Sequence, residues 1–425
     1  MIAACSIADN AAKSSGSYDT IDLSSENYDP ADMHDTSVNP SRITIPAGLA
    51  GYYLMVGVME VNGAVGGYGG LRFLTNGTDT SSQLEYPISG AYIDSGNLTF
   101  DVQYLNGGEY VELETMHSAG GSQTIYGRLT LARLATEHLF VGTASGATIT
   151  DSTYTAVSLT EQIDTDGWHD NSTNPSKVEV TETGRYLLLG YGAFAANATA
   201  GRLVSLYKNG TRQEEATNVF SGVASAANNG GVTYAIVDLT AGDDVELYVT
   251  QYSGGDLTLS DAKFAVVKIA DADVCGYVAG SGAAQNITAD TWAALTLGSE
   301  KIDDDGWHDN ATNPSRMTCQ TEGTFVVLTK ALINTSSVVG AGARVGGVAP
   351  GGLPFTLRPP TTGAGTTAAH MNLVELSVSD ILELYCYNGA GATRAPVKDY
   401  ATIAWLRLED ISVAIRRLPQ IIRRR

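Results

Sequence analysis

Two carboxylates two residues apart, then a glycine, a tryptophan and an imidazole, occur twice in this chain. They are Asp164, Asp166 and His169 in residues 163–178 (IDTDGWHDNSTNPSKV), and Asp303, Asp305 and His308 in residues 302–317 (IDDDGWHDNATNPSRM). Carboxylates at alternate positions around a turn are how a calcium loop begins, because the turn aims their oxygens at one hard cation. An EF-hand would also need a glutamate at the twelfth position, and Pro175 and Pro314 stand there instead. The six residues are therefore candidate ligands of a structural divalent cation, set against a purely structural reading. In the structural reading, which we expect, Asp and Asn close Asx turns, Gly167 and Gly306 supply permissive backbone, and the prolines set the path of the next strand. Trp168 and Trp307 could offer stacking faces to a sugar ring if the loop exposed them; packing within the turn is the plainer role.

Catalysis does not fit this pattern. An active site gathers unlike functional groups once, whereas these acids and histidines recur in equivalent places as scaffold residues do. His117, His138 and His370, the other half of the six histidines, have no counterparts between repeats. No phosphate-binding loop is present, and no GxGxxG follows a strand. The chain is expected to be non-enzymatic and to need no cofactor beyond that possible cation.

The elements that must position the motif repeat with it. A degraded copy stands at residues 28–43 (YDPADMHDTSVNPSRI), so His34, His169 and His308 lie 135 and 139 residues apart. That period is one small domain per copy, far too long for a solenoid. A glycine and an apolar run follow each copy: Gly51 to Val56, Gly184 to Leu189, Gly323 to Leu328. Hairpin ends with Asn-Gly come next in two copies, Asn76-Gly77 and Asn209-Gly210, a pair suited to tight turns. The third copy has VGGVAPGG at 345–352 in their place, and a different loop is expected there. A Val-Glu-Leu type strand and a closing apolar strand complete each copy. The expected domains are 1–135, 137–271 and 273–410, with a basic arm at 411–425.

Composition points to extracellular-style β structure: 47 glycines, abundant Ser, Thr and Asn, and no long amphipathic helical pattern. Short apolar runs broken by Asn-Gly, Gly-Gly and Asn-Pro predict antiparallel sandwiches. No apolar window approaches the length of a membrane span, and residues 1–10 (MIAACSIADN) do not read as a signal peptide. A net charge of −21 argues against nucleic-acid binding. The exception is 411–425 (ISVAIRRLPQIIRRR), where Arg416, Arg417, Arg423, Arg424 and Arg425 could meet an acidic partner while Ile415, Leu418, Ile421 and Ile422 fill apolar pockets. A solvated tail is the alternative. Cys5, Cys275, Cys319 and Cys386 do not repeat with the domains and read as buried free thiols. The small-residue loops 63–70, 195–201 and 340–352 read as plain turns, with partner contact as the alternative.

Taken in order, Asp-x-Asp-Gly-Trp-His, Asn-Pro-Ser, Gly-x-Tyr or Gly-x-Phe with an apolar run, Asn-Gly and Val-Glu-Leu resemble the C1q/TNF-like jelly-roll domain found in virion proteins of tailed bacteriophages. The likeness covers residues 1–410 in three tandem copies, with Gly51/Tyr53, Gly184/Tyr186 and Gly323/Phe325 at the family's glycine-aromatic step. It departs at an insertion, 46–50, in the first copy and at the third hairpin. The resemblance implies antiparallel jelly rolls whose first and last strands lie side by side, and binding rather than turnover. It implies a virion location after assembly in the host cytoplasm, as a capsid decoration or fibre-like component docking on other virion proteins, or alternatively as a fibre or adhesin contacting host surface glycans. Independently, the apolar runs at 52–58 and 186–189 leave no polar face, so both faces of those strands must be covered. One covers the sandwich; the other needs a neighbour. The neighbours would be the other copies in the chain, as a pseudo-trimer, or equivalent copies in a homotrimer.

Overall fold

A computed structural model describes residues 4–62, 66–80, 83–88, 94–224, 228–269, 274–281, 285–333, 338–348, 355–358 and 366–408. The basic arm with its five arginines and the 270–273 connection lie outside the described residues. The described chain is all-β, with antiparallel sheets and one 3-10 turn at Lys398–Tyr400.

The same strand order is built three times. In the first repeat one sheet runs Ser25–Tyr28, Ala4–Ser14, Ser122–Arg133, Gly51–Asn62, Asp94–Leu105. The second repeat gives Thr160–Asp164, Leu139–Ala144, Leu257–Ile269, Gly184–Phe194, Asn229–Leu239. In the third it is Ser299–Asp303, Cys275–Ala279, Thr402–Arg407, Gly323–Ile333, Thr366–Leu376. We call the last four strands of each series opening, closing, central and return. Opening and closing strands pair directly in every repeat. A second sheet faces each of these, centred on Tyr110–His117, Asp244–Gln251 and Ile381–Asn388. The second sheet of the first repeat continues into the first sheet of the second through one parallel contact, Glu85 with Asn229.

Turn chemistry explains the hairpins. Asn76 and Gly77 have φ of 51° and 74°, and Asn209 and Gly210 of 49° and 69°, as a tight type I′ turn requires. The third hairpin was expected to differ, yet Gly346 and Gly347 take φ of 57° and 76° there, and Val345 and Val348 exchange both backbone hydrogen bonds. Two glycines meet the same backbone demand as Asn-Gly. The expected turns also give way in part to strand, since Tyr68–Thr75 and Asn197–Lys208 begin within 63–70 and 195–201 and Val339–Val345 runs into 340–352, while 63–65 and 349–352 lie outside the described residues.

The central strands are covered on both faces. In the third repeat Phe325, Val327, Ala331 and Ile333 pack with Leu382, Leu384, Ile403 and Trp405 inside the sandwich. Their neighbours Val326 and Leu328, with Ala404 and Leu406, join a different cluster that also holds Val56 and Val58 of the first repeat and Tyr234 and Ile236 of the second. Side chains alternate across a strand, so a continuous apolar run feeds two cores at once. Each buried Val or Leu contributes roughly 1.5–3 kcal/mol.

Polar contacts made by the closing strands run in one direction around a cycle of repeats. From the closing strand of the first repeat, Arg128 donates to Asn372 on the return strand of the third (2.7 Å). In the second, Lys263 pairs with Asp101 on the return strand of the first (2.5 Å). In the third, the Thr402 hydroxyl meets that of Tyr234 on the return strand of the second (3.0 Å). Arg128, Lys263 and Thr402 are equivalent positions, pairing with Val58, Tyr191 and Lys330 of their own central strands. Two central-strand side chains reach the same way round: the Tyr191 hydroxyl donates to Gln83 O, and Lys330 Nζ to Glu215 O (2.5 Å) and Thr233 Oγ1 (3.1 Å), whereas Arg185 at the start of the second central strand pairs with Asp304 of the third repeat.

Candidate functional site: the repeated Asp-His loop

In every repeat the motif carries the chain from one sheet to the other, between Ser25–Tyr28 and Arg42–Thr44, Thr160–Asp164 and Lys177–Glu179, and Ser299–Asp303 and Arg316–Thr318. Its first aspartate organises the crossing. Asp164 accepts the backbone N–H groups of Trp168 (3.0 Å) and His169 (2.9 Å). Asp303 accepts those of Trp307 (2.8 Å) and His308 (3.0 Å), and Asp29 those of Met33 (2.9 Å) and His34 (2.8 Å). Burial holds the Asp29 and Asp303 carboxyls above the ordinary range, although these backbone donors pull the other way.

A second aspartate closes the Asx turn. Asp170 accepts Ser172 N and Thr173 N, and Asp309 accepts Ala311 N and Thr312 N. The Ser172 hydroxyl and these N–H groups lower Asp170 to about 2. Asn39, Asn174 and Asn313 then take φ of 55°, 60° and 59° before the proline, a left-handed turn that asparagine tolerates. The serine after each proline is tied to a glutamate of the second sheet: Ser41 to Glu112 (2.8 Å), Ser176 to Glu246 (2.7 Å), Ser315 to Glu383 (3.3 Å). Sequence reasoning missed these glutamates as loop anchors. The signal was their recurrence in the Val-Glu-Leu strand, about seventy residues from the serines they hold.

The histidines point inward to the loop's own backbone. Nε2 of His34, His169 and His308 each lies 3.1 Å from a carbonyl, of Pro40, Pro175 and Pro314 respectively. A carbonyl only accepts, so Nε2 carries the hydrogen. Nδ1 of His34 and His308 meets Glu26 and Glu300, both at 2.9 Å. In the second repeat Nδ1 is buried without a partner, and the His169 ring lies against Phe140 with centroids 4.9 Å apart.

The candidate cation ligands are thus engaged separately. Asp164 and Asp303 face N–H donors, Asp166 meets His138 (3.0 Å), Asp305 takes the Thr321 hydroxyl, and His308 uses both ring nitrogens. Among the described residues no three Asp, Glu, His or Cys side chains group as a metal site. Trp168 and Trp307 are corrected as sugar platforms, being 3% and 2% exposed. Trp168 donates to Thr181 (3.1 Å) and packs edge-on against Tyr186. Trp307 stacks on Trp405 at 5.2 Å, and Trp405 lies over Gly276, where a Cβ would come within 2.0 Å of its ring. These rings fill cores. All four cysteines are buried and unbridged.

No family model matches the sequence, and no curated protein matches it. Among solved structures, one described as PNGF-II is similar at 12% identity and a TM-score of 0.25, over 62% of this chain and 65% of that one, so just under two thirds of that protein is spanned. The atomic structure of Sulfolobus Turreted Icosahedral Virus is similar at 12% identity and a TM-score of 0.18, over 86% of this chain and 83% of that one. Likenesses this weak carry no functional argument.

Proposed function

We propose that this protein is a non-enzymatic structural component of a bacteriophage virion, exposed on the particle surface as a capsid decoration or fibre-like part. In this reading its three repeats are C1q/TNF-like jelly rolls that circle a common axis within one chain. It works by multivalent docking on other virion proteins, with the basic arm at 411–425 as an anchor, and needs no cofactor, nucleic acid or membrane. The observation that carries the reading is the cycle of contacts: three copies of one fold each cover the second apolar face of a neighbour's central sheet. A chain that spends its repeats on covering one another makes a rigid three-part body, which suits a scaffold. The pairing of opening and closing strands in every repeat supports the jelly-roll resemblance, and the tie to virions comes from that resemblance.

The absolute mass in solution tests the arrangement. Light scattering should give a mass near one 44.5 kDa chain; three chains would overturn the intramolecular ring and favour a homotrimeric fibre. Immunogold labelling of purified particles tests the location, and unlabelled particles would refute it.

A further inference from the structure

A cavity of about 700 Å³ opens where the first and second repeats meet. Asp79 and Gln83 of the first repeat form one wall; Thr143, Asn228, Ser260 and Asp261 of the second form the others. Its whole lining is Asp, Asn, Gln, Ser, Thr and Ala, without lysine, arginine or an aromatic ring.

The cavity sits on a local break in the second repeat's sheet. Ala193 pairs with Asp261 but Phe194 with Leu259, so Ser260 is an extra, bulged residue in the closing strand. The matching strand pair of the first repeat runs through without any shift, whereas that of the third ends at Lys330 with Thr402 and resumes only as a bridge of Ile333 to Pro396. Across from the bulge, pairing stops at Ala144 with Ala262 and resumes at Ala147 with Leu259, leaving Ser145 and Gly146 (φ 75°) off the ladder. Bulges commonly re-aim side chains at sites. Here the bulged Ser260 Oγ is buried without a hydrogen-bond partner, an arrangement that costs free energy until a ligand or water fills it. Next to it, burial pushes the Asp261 carboxyl up to about 7, and Arg72 holds Asp79 at 2.7 Å.

We propose that this cavity binds a neutral sugar residue. The absence of lysine and arginine disfavours phosphate, sialic acid and other anions, and the absence of any apolar side chain larger than alanine disfavours strongly hydrophobic ligands. Hydroxyls, amides and carboxyls together offer donors and acceptors on several sides, which a ring of hydroxyl groups can meet at once. The volume lies within the range of about 300–1,000 Å³ usual for small-molecule sites. Because one wall belongs to the first repeat, the site exists only when the two repeats are docked. This inference stands on the cavity and does not depend on a virion role.

Saturation-transfer NMR of the full chain with a panel of neutral mono- and disaccharides tests it. At least one sugar should receive transfer. Ser260→Ala should weaken it about five-fold, the effect of one hydrogen bond, and Ser158→Trp, at the exposed rim, should abolish it with an unchanged melting temperature. Failure of every sugar at tens of millimolar would overturn the proposal, as would binding indifferent to both variants. Calcium or a polyamine binding here in place of sugar would also overturn it, by assigning a cation site.

Discussion

At the scale of single residues, the first repeat shows what the motif's glycine contributes. Gly167 and Gly306 both have φ of 68°, and the equivalent residue of the first repeat is Asp32, at φ 50°. An aspartate in that region carries a steric cost that glycine avoids. Asp32→Gly should therefore stabilise the protein by about 0.5–1 kcal/mol, seen as a higher urea midpoint; no gain would mean that the aspartate side chain stabilises its turn. Lys330 shows the opposite situation, a charged residue type in a dry place. Burial lowers its ammonium from 10.5 to about 7, against the attraction of Glu215. Between those values the unfolded chain holds a proton that the folded chain has given up, so raising the pH stabilises the fold across that window. The melting temperature, relative to that of Lys330→Met, should rise from pH 7 to 9.5. Parallel curves would show the lysine charged and solvated.

At the scale of elements, the strands explain how much could be read ahead. The apolar runs at 52–58 and 186–189 announced two covered faces because alternation leaves no other use for them, and Asn-Gly announced its turns because few residues tolerate two positive φ values. The Asp-His loop was legible as a shaped turn for the same local reasons. What was hidden depends on distant partners. Trp168 and Trp307 sit in a polar motif, and only Thr181, Tyr186 and Trp405 decide that their rings go inward. The cavity depends on a one-residue shift between two strands some seventy positions apart, which no local pattern encodes. Two-sided burial has a direct test. Leu384 lies within the sandwich core of the third repeat, and Leu406 on the face turned to the other repeats. Leu384→Ala and Leu406→Ala should each cost about 2–4 kcal/mol in denaturant unfolding. A cost below about 1 kcal/mol for Leu406 alone, as at an exposed site, would mean that the repeats separate in solution.

For the whole molecule, apolar burial holds the repeats together but does little to fix their order, because the three sheets offer similar apolar faces. The polar pairs differ at each junction: Arg128 with Asn372, Lys263 with Asp101, Thr402 with Tyr234. If Lys263 instead met Asn372, an ammonium would be buried without a carboxylate and Asp101 without a cation, so the reversed order is penalised. Buried ion pairs add little net stability over apolar replacements but are costly to break, which suits a role in selecting one arrangement. Lys263 and Asp101 are 4% and 2% exposed, inside that regime. Lys263→Met alone and Asp101→Leu alone should each cost about 3–5 kcal/mol, and the double variant should recover most of the loss. The coupling read from the double-mutant cycle should then exceed about 2 kcal/mol, far above what an exposed pair gives. A coupling near zero would mean that water separates the two side chains, and the order of the ring would have to be set at the other two junctions.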